Sequence, residues 1–179
     1  MKKKIEEIVE LPAGITAELK NAEITLRGKG KEIKRTFVEN PKIKITVEGS
    51  KIKVTCEKTT KREMKLIGSF ISHMKNNVKG LEEGYLYKLE ICNVHFPMTV
   101  KVEGDKFKIK NFLGEKIERI AMICPNTKVS VKGNVIEISS EDIEKAGQTA
   151  ANIEIATKIR NRDRRVFQDG IFITEKPGR

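Results

Sequence analysis

The chain of 179 residues contains no tryptophan, three cysteines and two histidines, and aromatic side chains make up 5% of it. No apolar stretch approaches the roughly 18–20 uncharged residues that a membrane span needs, which excludes a helical transmembrane protein. Cys56, Cys92 and Cys124 are widely spaced and odd in number. They close no disulfide framework and form no CxxC pair, so they read as small buried residues of an intracellular protein. The start, Met1 to Glu7, is basic but lacks the apolar run of about 7 residues or more that a secretory signal carries. Few aromatics also argue against a helix lying on a membrane surface and against a reader that stacks successive bases on exposed rings.

What the sequence has in quantity is positive charge. Against 25 Asp and Glu stand 36 Lys and Arg, a formal net charge of +11 and a pI near 9.6. A folded domain so charged attracts polyanions, because each cation placed near a phosphate releases condensed counterions. With 38% apolar residues, the chain can also bury a core. The expectation is a globular protein that grips a nucleic-acid backbone and its shape.

A shift of 84 residues brings two segments into register without a gap. The identities are Gly30/Gly114, Ile33/Ile117, Arg35/Arg119, Pro41/Pro125, Lys44/Lys128, Val47/Val131, Gly49/Gly133, Ile52/Ile136, Glu57/Glu141 and Lys61/Lys145. Roughly two would arise by chance from average composition. The chain is therefore a duplication, with a first repeat over 1–83 and a second over 84–179. Similar hairpins without common origin are the plainer alternative.

Each copy shows strands followed by a helix. Glu23 to Arg27 and Glu32 to Phe37 alternate polar with apolar around Gly28-Lys29-Gly30-Lys31. Ile43 to Val47 and Lys51 to Thr55 flank Glu48-Gly49-Ser50 as a second hairpin. Met64, Ile67, Phe70, Ile71, Met74 and Val78 then recur at helical spacing behind a Thr60/Glu63 capping box. The second copy repeats this with strands near Lys106–Lys110 and Lys116–Met122, a hairpin about Gly133, and a helix predicted from about Asp142 to Ile159. The fold class is α+β: two tandem duplicated domains, each a twisted, mainly antiparallel sheet packed against one helix.

Chemistry is sparse. Cys92 and His95 sit three apart, a zinc-like spacing, but without a second pair they read as a strand end with a buried Cys. His73 stands alone on a helical segment. Gly28-Lys29-Gly30-Lys31 joins two strands and lacks the GK[ST] ending of a phosphate loop, leaving two turn lysines that could touch an RNA backbone. Asp142 and Glu144 read as helix-capping carboxylates. No catalytic group, metal or cofactor is expected, and no small-molecule substrate.

The segment after the second helix differs in kind. Lys158, Arg160, Arg162, Arg164 and Arg165 put five cations into eight positions and hold four of the nine arginines. Guanidinium groups bind phosphate bidentately and stack on bases, so this clustering predicts a nucleic-acid contact. Compensation of a helix C-terminus is the structural alternative for its first residues. Lys106, Lys108 and Lys110 alternate along one strand and share a face, either a second RNA patch or a solvated surface. Beyond the block, Val166 to Ile173 is strand-like around Asp169-Gly170, and this terminus is expected to stay extended and mobile until a partner orders it.

The two-fold repeat, the Thr46-Val47-Glu48-Gly49 and Ser130-Val131-Lys132-Gly133 hairpins, and the ending Lys158 to Asn161 followed by Arg164 to Ile173 resemble the family of the sixth large-subunit ribosomal protein, in its archaeal and eukaryotic form. The similarity spans essentially the whole chain. It implies a non-enzymatic, cytoplasmic ribosome component of two similar domains that binds 23S-type rRNA. It also implies a location near the stalk base and factor-binding region, close to the sarcin-ricin loop, with other large-subunit proteins as neighbours and the second domain making the main RNA contacts. Carried onto this sequence, the contacts fall on Lys158, Arg160, Arg162, Arg164 and Arg165, and more loosely on Lys176 and Arg179. The runner-up is an RNA-processing or RNA-modifying enzyme that captures RNA on its basic surface, and a third reading is a regulator that binds duplex DNA or messenger RNA.

Overall fold

A computed structural model of the chain describes residues 3–21, 23–37 and 40–178. It divides into two compact units, Met1–Glu83 and Gly84–Arg179.

Unit 1 contains β1 (Lys3–Glu10), β2 (Ile15–Lys20), β3 (Glu23–Gly28), β4 (Lys31–Thr36), β5 (Ile43–Glu48), β6 (Lys51–Thr59) and α1 (Lys61–Glu82). The strands pair antiparallel as two sheets, β1-β6-β5 and β2-β3-β4. Period-two alternation sends Ile52, Val54 and Cys56 of β6 and Ile24 and Leu26 of β3 inward, where they meet Ile67, Phe70, Met74 and Leu81 of α1. The capping box forms at the head of α1: the Thr60 N–H donates to the Glu63 carboxylate at 2.9 Å, and the Arg62 N–H donates to the Thr60 hydroxyl at 3.3 Å. Glu63 is consequently buried, whereas Met64, expected on the core face, is 55% exposed. Hydrogen bonds from the Thr60 hydroxyl and backbone, helped by Lys42, hold the Glu63 carboxyl down from 4.5 to about 2.

Unit 2 contains β7 (Tyr85–Cys92), β8 (Thr99–Glu103), β9 (Lys106–Lys110), a 3-10 turn (Phe112–Gly114), β10 (Arg119–Met122), β11 (Lys128–Lys132), β12 (Val135–Ser140), α2 (Ile143–Ala156) and β13 (Gly170–Glu175). Its sheets are β11-β12-β7-β13 and β10-β9-β8. Leu89, Phe107, Ile109, Ile136, Ile138, Ala150, Ile153 and Ile171 form a core of their own. Adding 84 to β5, β6 and α1 lands on β11, β12 and α2, so the sequence duplication is a structural one. The Gly49/Gly133 identity has a local cause: both occupy hairpin turns at φ 58° and 61°, a region that side-chain-bearing residues adopt at a cost.

The fold class stands, with finer detail than periodicity gave. Each unit divides its strands between two sheets, and β1, β2, β7 and β8 are strands that the sequence pattern did not single out. Helix α2 ends at Ala156 rather than Ile159, because Thr157 leaves helical geometry and its N–H bonds back to the Glu154 carbonyl at 3.2 Å. Of the three cysteines only Cys56 is buried; Cys92 and Cys124 are half-buried. The C-terminal stretch is no free tail. Residues Gly170–Glu175 pair with β7, and Ile171 sits fully buried opposite Ile91.

Candidate nucleic-acid interface

Residues 157–169 form an arm that leaves α2 and returns to β13. Lys158, Arg160, Arg162, Arg164 and Arg165 are spread along it, with Arg160, Arg162, Arg164 and Arg165 in a run of six positions. The one acid embedded in that run shapes the backbone: the Asp163 carboxylate accepts the Arg165 N–H at 2.9 Å, and its carbonyl accepts the Phe167 N–H at 3.0 Å. This local turn puts Arg164 and Arg165 at its tip, both exposed. Neither they nor Arg160 make an ion pair with a described residue. Arg162 is the exception in direction, its guanidinium lying 4.9 Å from the centre of the Phe167 ring.

Both ends of the arm are tied. At the helix end, Arg119 of β10 donates from Nη1 to the carbonyls of Ala156 at 2.9 Å and Lys158 at 3.2 Å. The same guanidinium forks onto Glu115 at 2.7 and 2.6 Å and covers the Phe112 ring at 4.2 Å. That contact holds the Glu115 carboxyl below its ordinary range despite partial burial. At the strand end, Asp169 is 2% exposed. Its Oδ1 accepts the backbone N–H of Val94 at 2.5 Å and of His95 at 3.0 Å, and its Oδ2 lies 2.7 Å from His95 Nδ1. Burial pushes the Asp169 carboxyl up, but the His95 and Val94 hydrogen bonds outweigh it and leave the group below the usual aspartate range. The Phe167 ring rests against the His95 ring, with centroids 5.1 Å apart. Strand β13 is blunted as well: its outward N–H groups, from Ile171 and Ile173, donate to Thr157 Oγ1 at 2.9 Å and Glu154 Oε1 at 3.3 Å.

The lysines on β9 lie elsewhere in unit 2. Lys106, Lys108 and Lys110 alternate with buried Phe107 and Ile109, so they do share the outer face. Lys108 is drawn to Glu103, which raises its pKa, and Lys110 pairs with Glu118 at 2.6 Å. Lys106 makes no ion pair with a described residue. Lys101, which sequence reasoning missed, lies on β8 directly opposite Lys108. Lys176 is exposed beyond β13, and Arg179 falls outside the described residues. The turn lysine Lys29 donates to the Glu82 carbonyl at 2.7 Å and so caps the end of α1.

Sequence reasoning gave Arg119, Asp169 and His95 no part in holding the arm. Arg119 carried a signal as a repeat identity, whereas Asp169 and His95 meet across 74 residues and carried none. Of the Cys92/His95 spacing, the structure shows Cys92 half-buried and His95 Nδ1 at 2.7 Å from Asp169. Among the described residues no group of three or more His, Cys, Asp or Glu could hold a metal ion.

A duplicated α+β scaffold that displays unpaired guanidinium groups on a turn fixed at both ends has the layout of a protein that grips a polyanion. The family is explicit in the sequence comparisons: the chain belongs to the ribosomal protein L6 family, whose sequence profile matches residues 11–84 and again 96–170, once in each unit. It is 44% identical to large ribosomal subunit protein uL6 of Aeropyrum pernix over 96% of this chain and 94% of that protein. With uL6 of Methanosarcina mazei the identity is 46% over 98% and 99%, and with that of Methanococcus vannielii 41% over 98% and 96%. These relatives are named for the large ribosomal subunit.

Proposed function

We propose that the chain is a structural constituent of the large ribosomal subunit that binds 23S-type rRNA near the factor-binding region and stalk base, in the sarcin-ricin region. It works in the cytoplasm, as part of the ribosome, in support of translation. Unit 2 is the main RNA-binding domain, and unit 1 supports a neighbouring RNA or protein surface. The observation that carries this reading is the arm, in which Arg160, Arg164 and Arg165 make no ion pair with a described residue and are held on a backbone fixed at both ends. A pre-ordered turn loses less conformational entropy on binding than a free tail, so more of each phosphate contact appears as affinity. Lys101, Lys106, Lys108 and Lys110 form a secondary patch. Lys101 and Lys108 lie opposite each other on neighbouring strands, and Glu103 interacts with both.

The test is equilibrium binding to a large-subunit rRNA fragment carrying the sarcin-ricin region, compared with unrelated structured RNA and duplex DNA of equal length over a salt series. Tight binding to the rRNA fragment alone that persists at about 150 mM salt is expected. Equal affinities that all collapse with salt would overturn the reading, since a generic basic surface behaves that way.

A further inference from the structure

Beneath the arm lies a cleft of about 840 Å³, bounded by Ile155, Thr157 and Lys158 where α2 ends, by Arg164 and Phe167 on the arm, and by Phe172 of β13. Resting on the reading that the arm binds RNA, we propose that this cleft receives one unstacked RNA base. Phe172 is its ring platform, and Lys158 and Arg164 hold the adjoining phosphates.

The lining is unusual for a surface left to water. Val94 is 71% exposed, Ile155 58% and Phe172 40%, and all three line this hollow. Apolar exposure alone does not choose an occupant; the charges do. Lys158 and Arg164 stand exposed at the rim with no ion pair to a described residue. Of the two acids of the lining, Asp169 is buried beneath the Val94 and His95 N–H groups, and Glu154 accepts the Ile173 N–H through one oxygen. The cleft thus offers an exposed ring beside two exposed cations, which suits a base with its phosphates. Gln168, exposed at the same rim, supplies an amide that can pair with a base edge.

The platform is built in advance. A Cβ on Gly170 would meet the Phe172 ring at 2.9 Å, so the ring lies in space that only glycine leaves open two residues earlier on the strand. The volume lies within the ~300–1,000 Å³ of small-ligand sites, enough for one splayed nucleotide and too little for a duplex. Among the described residues of unit 1 no arm or added strand follows α1, which runs to Glu82.

Because the chain lacks tryptophan, Phe172→Trp in the full-length protein makes a single fluorescent reporter at the rim. It is titrated with a uridine pentamer, with the abasic ribose-phosphate pentamer and with uridine monophosphate. Expected is quenching by the pentamer at about tenfold lower concentration than by the abasic chain, with the monophosphate weaker still. Phe172→Ala, followed through a label on the RNA, is expected to bind both pentamers alike. Equal curves for the base-bearing and abasic chains, no quenching by either, or monophosphate binding as tightly as the pentamer would each overturn the base site. The arm reading is judged separately: if Arg160→Ala with Arg164→Ala and Arg165→Ala leaves rRNA-fragment binding unchanged, that reading fails whatever the cleft does.

Discussion

The two repeats share an order of elements but carry their positive charge differently. Residues 1–83 hold 19 basic against 12 acidic side chains, and residues 84–179 hold 17 against 13. By net charge unit 1 is the stronger polyanion binder. Its cations are scattered over several strands, and some are answered within the unit: Lys51 pairs with Glu10 at 3.0 Å, Lys53 with Glu6 at 2.7 Å, Lys34 with Glu32 at 3.0 Å and Arg27 with both Glu18 and Glu32. In unit 2 the arm arginines follow one another along a short stretch of chain, and Arg160, Arg164 and Arg165 have no acidic partner among the described residues. Exposed ion pairs contribute little to stability, but they do set where charge remains available to a ligand. On the reading proposed above, the clustering of cations along the chain, and not their total, selects the binding surface.

The contrast can be broken most directly in the core. Ile171→Ala removes a fully buried side chain from β13, the strand that unit 1 lacks, and should cost unit 2 about 2–5 kcal/mol in a denaturant titration. A cost near zero would return the C-terminus to the status of a loose tail. Replacing Arg160, Arg162, Arg164 and Arg165 together by Ala should weaken rRNA-fragment binding roughly a hundredfold at ~150 mM salt and flatten the log–log salt slope by about 3. The matching unit 1 variant, Lys44, Lys51, Lys53 and Lys58 to Ala, should cost far less, and equal losses would remove the distinction between the repeats.

Smaller effects probe how the arm is held. Asp169→Ala frees the Val94 and His95 N–H groups and should lower affinity about tenfold while the arm cations remain, as read by the same assay. For Glu63 the folded carboxyl lies below its unfolded value, so its stabilising contribution is full above about pH 4.5 and is lost as pH falls toward about 2. Circular dichroism of the native chain should therefore show α1 weakening across that window, and Glu63→Gln should flatten this acid limb. An unchanged limb would show that the capping box does not set the acid response of unit 1.

Much of the fold was legible because its causes are local. Alternation in β3–β6, the glycine turns at 49 and 133, and Thr60 with Glu63 three residues on all act within a few residues of chain. Helix faces were less secure: Met64 fits the apolar period yet faces solvent, since the cap turns Glu63 inward instead. The arginine run could be read as a cluster from spacing alone. Whether it was a stiff turn or a loose tail could not, because its anchors are Arg119, 37 residues before the Ala156 carbonyl it binds, and His95, 74 residues before Asp169.

The sequence by itself therefore determined the duplication, the α+β class, the basic character and the residues that carry it. These depend on composition, short periods and a fixed repeat length. Only the tertiary structure decided which cations stay free, that the last strand completes a sheet, and that arm, helix end and Phe172 enclose a cleft. Such features arise where distant segments meet, and burial, hydrogen-bond satisfaction and ion pairing are settled there by packing that no local pattern encodes.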